Sequence, residues 1–181
     1  MKKFLACVVA GIVAFFVSAC GGNYDFSLNS EFGKVGLKDF AGKKLIVYFG
    51  YTYCPDVCPA TLSLIATELK ELNSQQAFLL FISLDPQRDG DINATNEWLR
   101  YFYPNATALI APDEKTLADV AERFGVIYEK VELKDSVMGY SVAHSNEAFL
   151  FDEKGKFFGS INDFSQKNLH ARLNAFLNAR E

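Results

Sequence analysis

Cys54-Pro55-Asp56-Val57-Cys58-Pro59 places two thiols four positions apart, each followed by a proline. A proline is tolerated in the first turn of a helix, where the leading N–H groups have no intrahelical acceptor, and breaks a helix interior. Both cysteines therefore belong to the turn that enters a helix. There the helix dipole and unpaired N–H groups favour thiolate over thiol, and a thiolate is both a nucleophile and a metal ligand. The pair admits three readings: a structural disulfide, a redox couple and a metal site. A disulfide closing so short a loop constrains the unfolded chain only modestly. Redox enzymes of the thioredoxin type space their cysteines Cys-x-x-Cys. The three intervening residues here loosen dithiol exchange and leave room for an ion.

His144, in Tyr140-Ser141-Val142-Ala143-His144-Ser145, separates these readings. It is expected in a loop just before an extended segment starting at Glu147. His170, among charged and polar neighbours near the C-terminus, reads as solvated surface. Peroxide reduction is a further, weaker reading, because the cysteine turn carries no adjacent Arg or Lys to hold an activated thiolate.

The elements that must position these groups follow from hydrophobic periodicity. Leu45–Phe49 is a continuous apolar run with the character of a buried strand, and the cysteine motif sits at its C-terminal end. Leu62, Ile65, Leu69 and Leu72 recur at helical spacing over about Pro59 to Leu72. Ala77–Ser83 and Ala106–Ile110 read as strands, Ile92–Phe102 as a helix. Asp113 caps a further helix that ends at Phe124 before Gly125. Tyr128–Leu133 and Glu147–Phe151 read as extended, Asp152-Glu153-Lys154-Gly155-Lys156 as a hairpin turn into Phe157–Ile161, and Ser165–Ala179 as a closing helix. Strands alternating with helices predict an α/β sandwich around a mixed sheet, thioredoxin-like, with its working groups at the carboxyl ends of the strands. In such a fold the loop holding His144 faces the cysteine turn.

Met1-Lys2-Lys3, the apolar run to Val17 and Val17-Ser18-Ala19-Cys20 together describe a secretory signal. The arrangement resembles a bacterial lipoprotein signal, which implies cleavage before Cys20 and its diacylation. Residues 1–19 are then signal, 20–30 a lipidated and flexible tether, and 31–181 one domain. Phe4 to Ala19 spans 16 residues, fewer than the ~20 of a membrane-crossing helix. Cys7 lies in the apolar run as a small apolar residue. Without residues 1–19 the side chains are 16 basic and 22 acidic, a charge of about −6, which argues against nucleic acid as a partner. The expected location is the bacterial cell envelope, lipid-anchored and facing the periplasm or the exterior. Half of the chain is apolar, with 17 Phe, enough for a sizeable core.

The segment Phe49 to Leu62, containing the cysteine motif, resembles the signature of the Sco/SenC family of copper chaperones for cytochrome oxidase assembly. Ile82-Ser83-Leu84-Asp85-Pro86-Gln87-Arg88-Asp89 resembles that family's second block, and Tyr140 to Ser145 its histidine block. The resemblance implies that Cys54, Cys58 and His144 bind one copper ion, and that the acceptor is the dinuclear copper centre of cytochrome c oxidase subunit two. Two thiolates and an imidazole suit Cu(I), or Cu(II) with an added oxygen ligand; zinc accepts the same donors with water. A chaperone needs no chemical turnover. The alternative is a thiol–disulfide oxidoreductase that reduces the cysteines of the oxidase subunit. Two departures from the family pattern stand out. Ala143 replaces an acidic residue before the histidine, and the stretch between the second and third blocks is short. Asp85 is a candidate either for supporting the ligands or for a turn.

Overall fold

The structure, a computed structural model, describes residues 23–74 and 76–179. The expected signal over residues 1–19, Cys7 and Cys20, the expected lipidation site, lie outside them. In chain order the elements begin with β1 (Leu28–Ser30), β2 (Gly33–Val35), a 3-10 turn (Leu37–Phe40), β3 (Lys44–Gly50) and α1 (Val57–Glu71). They continue with β4 (Ala77–Ser83), α2 (Ile92–Phe102), β5 (Ala106–Leu109), α3 (Glu114–Phe124) and β6 (Tyr128–Glu132). β7 (Tyr140–His144), β8 (Ala148–Phe151), β9 (Phe157–Ile161) and α4 (Gln166–Asn178) complete the order.

The main sheet has the order β5-β4-β3-β8-β9. β3, β4 and β5 run parallel, while β8 and β9 are antiparallel additions. Every residue of β3 is buried, as a central strand covered on both faces requires. Each large apolar side chain so enclosed contributes about 1.5–3 kcal/mol. Alternation along β3 sends neighbours to opposite faces. Phe49 meets Phe124 of α3, which also packs edge-on against Phe149 and Phe151. On the other face Tyr48 leans on Phe81, which in turn packs on Trp98 of α2. The first residue of β3, Lys44, is buried and donates from Nζ to the carbonyls of Phe176, Leu177 and Ala179 at 2.9–3.0 Å. The last carbonyls of a helix lack intrahelical partners, and this lysine satisfies them for α4.

Two expectations are corrected. The tether expected over residues 20–30 ends earlier, because Phe26 and Leu28 are buried. β1 pairs with β2 and bridges to Ile110, so the folded domain starts before residue 31. Tyr140–Ser145 is not a loop. Its residues 140–144 form β7, paired only with β6 in a two-stranded sheet separate from the main one. Among the described residues no helix is long and apolar enough to cross a membrane.

Candidate metal centre

β3 ends in Gly50, where the chain leaves the sheet and turns through Tyr51–Asp56 into α1. Gly50 sits in a crowded place. A Cβ on it would lie 3.0 Å from the Phe81 ring, 3.1 Å from Cys58 Sγ and 3.1 Å from the Tyr48 ring. Cys58, in the first turn of α1, is completely buried; Cys54, ahead of the helix, is half-buried. Both are free thiols. The N–H of Cys58 donates to Cys54 Sγ at 3.3 Å, as the unpaired donors of a helix start favour.

This setting divides the pair. Hydrogen bonding from the Cys58 side chain, then from His144 and from the backbone of Cys58 and Asp56, drives Cys54 well below the ordinary thiol range against the cost of its burial. The same bond, with burial, pushes Cys58 up. One proton is thus held on the inner sulfur while the outer one is a thiolate.

His144 closes the arrangement: its Nε2 lies 3.3 Å from Cys58 Sγ. Its Nδ1 lies 3.0 Å from the carbonyl oxygen of Ser145. A carbonyl only accepts, so Nδ1 carries a proton and donates to it. The ring also stands edge-on to Tyr51, with centroids 6.2 Å apart. Ala143, where the family pattern has a carboxylate, is exposed. Strand alternation points it away from the face that carries His144. The ring is oriented by a backbone carbonyl instead, in the role that outer partners play for ligand imidazoles.

Apart from Asp85, the groups behind these three are not revealed by the sequence. Tyr48 donates its hydroxyl to Asn146 Oδ1 at 2.9 Å, and Asn146 Nδ2 donates to Thr61 Oγ1 at 3.2 Å. Burial raises the Tyr48 hydroxyl far above its usual range, so it stays a neutral donor beside Cys58. Asp89, buried, accepts from the N–H and hydroxyl of Thr52 and from the Ser83 hydroxyl. Asp85, fully buried, accepts from the Tyr140 hydroxyl at 2.8 and 2.9 Å. Asp85 thus supports the histidine strand, beyond shaping a turn. Arg88 stacks on the Tyr140 ring at 3.5 Å and faces the Tyr53 ring at 5.1 Å, so a cation does stand beside the cysteine turn.

Cys54, Cys58 and His144 do not all have their donor atoms within 4.8 Å of one another. Among the described residues the set that does is Glu68, Glu71 and His170. His170, expected as solvated surface, is bonded through Nδ1 to the buried Glu68 at 2.9 Å. Ten residues of helix separate Glu68 from Cys58, about 15 Å. It belongs to the α1–α4 contact, remote from the cysteines.

Residues 18–177 match the family model of SCO1/SenC. The chain belongs to the SCO1/SenC family. An SCO2-like protein of Rickettsia conorii is 35% identical over 136 residues, 74% of this chain and 65% of the relative. This SCO1/SenC chain therefore spans less than two thirds of that relative's length. The crystal structure of Arabidopsis thaliana ScoI with copper bound superposes with a TM-score of 0.73 at 29% identity, covering 83% of this chain and 94% of that one. The thioredoxin domain of a Bacteroides vulgatus thiol-disulfide oxidoreductase shares the fold, with a TM-score of 0.57 at 18% identity over 85% of this chain and 94% of its own. The SCO1/SenC chain is thus thioredoxin-like, as its alternating elements predict.

Proposed function

We propose that this chain is a copper metallochaperone that holds one copper ion at Cys54, Cys58 and His144. It helps deliver that ion to the dinuclear copper centre of cytochrome c oxidase subunit two. The observation that carries the reading is the approach of His144 Nε2 to Cys58 Sγ at 3.3 Å, with the Cys54 thiolate at the rim. Two soft sulfurs and one imidazole make a donor set suited to Cu(I). The copper-bound relative from Arabidopsis, with the same fold, supports copper as the ion. Residues 1–19 would direct export, and a lipid on Cys20 would hold the domain at the envelope membrane, where such an acceptor is reached. Transfer needs no redox step: an incoming thiolate replaces Cys54, then the remaining protein ligands are exchanged in turn.

The decisive experiment is anaerobic titration of the reduced chain with Cu(I) against a competing chelator. One ion per chain is expected, with affinity falling at least tenfold in His144→Ala while the fold persists. Native affinity in that variant would overturn the assignment of His144.

The division of the thiols favours a second reading, a thiol–disulfide oxidoreductase. Cys54, low and accessible, attacks a substrate disulfide sulfur to form a mixed disulfide and releases one substrate thiolate. Cys58 then gives its proton to the second leaving sulfur and closes Cys54–Cys58, so the substrate gains the two electrons that the pair loses. Reduced protein that binds no copper but rapidly reduces a peptide disulfide would establish this reading over the first.

A further inference from the structure

The β6–β7 hairpin carries His144, yet among the described residues it shares no backbone hydrogen bond with the main sheet. β6 is exposed over most of its length, and in β7 only Val142 is buried. Side chains must therefore fix where the hairpin stands. Alternation puts Tyr140, Val142 and His144 on one face of β7. Tyr51 meets this face beside Val142 and His144. At the other end, Tyr140 is gripped from a single loop between β4 and α2. Arg88 donates from Nη1 to the carbonyl of Tyr140 at 3.1 Å and from Nη2 to those of Met138 and Tyr140, with its Cζ 3.5 Å from the Tyr140 ring centroid. Asp85 accepts from the Tyr140 hydroxyl and lies 3.6 Å from Arg88 Nε.

The same loop holds the cysteines. Asp89, next to Arg88, binds the N–H and hydroxyl of Thr52, two residues before Cys54. Ser83 links the two carboxylate positions, donating to Asp89 at 2.6 Å and accepting from the N–H of Asp85 at 3.0 Å. Three residues within one stretch of five, Asp85, Arg88 and Asp89, thus reach both halves of the site.

We propose that Asp85-Pro86-Gln87-Arg88-Asp89 is a bracket that sets the separation between the cysteine turn and His144, with Arg88 the positioning residue for the histidine strand. The inference deepens the copper reading and rests on it for its effect on the metal. Arg88 is suited to the task because a planar fork can bond two carbonyls and stack on a ring at once, whereas a lysine ammonium can do only one of these well. Tyr140 and His144 are four strand residues apart, about 13 Å, so a small rotation at Tyr140 becomes a displacement at the imidazole.

Two measurements on the full chain in mild detergent separate the bracket from the metal assignment. Hydrogen exchange of the copper-free protein reads the hairpin alone: Arg88→Met should speed exchange at β6 and β7 while leaving β3 and β4 protected. Unchanged exchange in the hairpin overturns the bracket, whatever the protein binds. Cu(I) competition and Cu(II) spectra then read the site. Arg88→Met should lose about 10- to 100-fold in affinity and lose the imidazole nitrogen signature as His144→Ala does. Arg88→Lys should recover only part of it. In the double variant the losses should not add, since two changes acting through one contact couple. Additive losses, or an intact nitrogen signature in Arg88→Met, overturn the positioning role. If His144→Ala leaves copper binding unchanged, the ligand assignment fails while the exchange result still decides the bracket.

Discussion

Cys58 and His144 meet at 3.3 Å across 86 residues of sequence, one at the start of α1 and the other at the end of a hairpin outside the main sheet. Gly50 eases the meeting, since any side chain there crowds the inner sulfur. Gly50→Ala must push Cys58 Sγ or the rings of Tyr48 and Phe81 aside. Overpacking of this kind costs about 1–3 kcal/mol. Chemical denaturation should show that loss, and copper titration should show weakened binding in the protein that remains folded. An unperturbed variant would mean the sulfur has room the structure does not give it.

Cys54 should behave as a thiolate throughout the neutral range. Its ionisation is driven below that of an ordinary thiol and that of Cys58 above it. A lowered value means the reactive form persists as pH falls. Iodoacetamide labelling of the reduced, copper-free chain should modify Cys54 at a nearly constant rate from pH 8 to pH 6. A free thiol with pKa of about 8.5 loses about tenfold in thiolate per unit there. Cys58 should stay unlabelled. Mass spectrometry of the peptide holding both residues checks each point.

Burial raises the Asp89 carboxyl above its ordinary value of 3.8, against the pull of Ser83 and Thr52. A carboxyl held high favours the fold when protonated. Its contribution is complete below the unfolded value and is lost as pH rises through the folded one. Asp89→Asn cannot titrate, so it should gain on the parent protein as pH climbs from about 3 to 7. Urea midpoints of the two proteins across that range make the comparison. A difference that does not change with pH would remove the carboxylate from the account.

The Glu68–His170 pair provides a control remote from the metal. His170→Ala leaves a carboxylate 4% exposed without the imidazole that bonds it, at a cost of about 1–3 kcal/mol. Thermal unfolding should reveal the loss while copper affinity stays unchanged. Equal stability would show that Glu68 finds another donor.

Periodicity made the centre of the main sheet legible because its inner strands are buried on both faces: Leu45–Phe49 and Ala77–Ser83 lie in β3 and β4. Asp113 caps α3 by accepting from the N–H of Thr116, as its position suggests. β1 and β7 were not legible as strands. Leu28–Ser30 is three residues long and stabilised by a partner strand and Ile110, and β7 buries only Val142, so neither shows a strong alternating pattern. At the site, Cys54, Cys58 and His144 were readable from residue type and from family resemblance. Arg88, Asp89, Asn146 and Thr61 were not, since each acts through partners 37 or more residues away and no local spacing records such pairs. His170 is exposed, as expected of solvated surface, but its bond to Glu68 was not foreseen, because that partner lies on another helix.

The unequal depth of the two sulfurs gives the site a direction. With Cys58 walled in by Gly50, Tyr48 and Phe81 and Cys54 at the rim, any visitor, whether alkylating reagent, small thiol or protein acceptor, arrives on the Cys54 side. Entry and departure share one doorway, and the inner sulfur is first to be shielded and last to be reached.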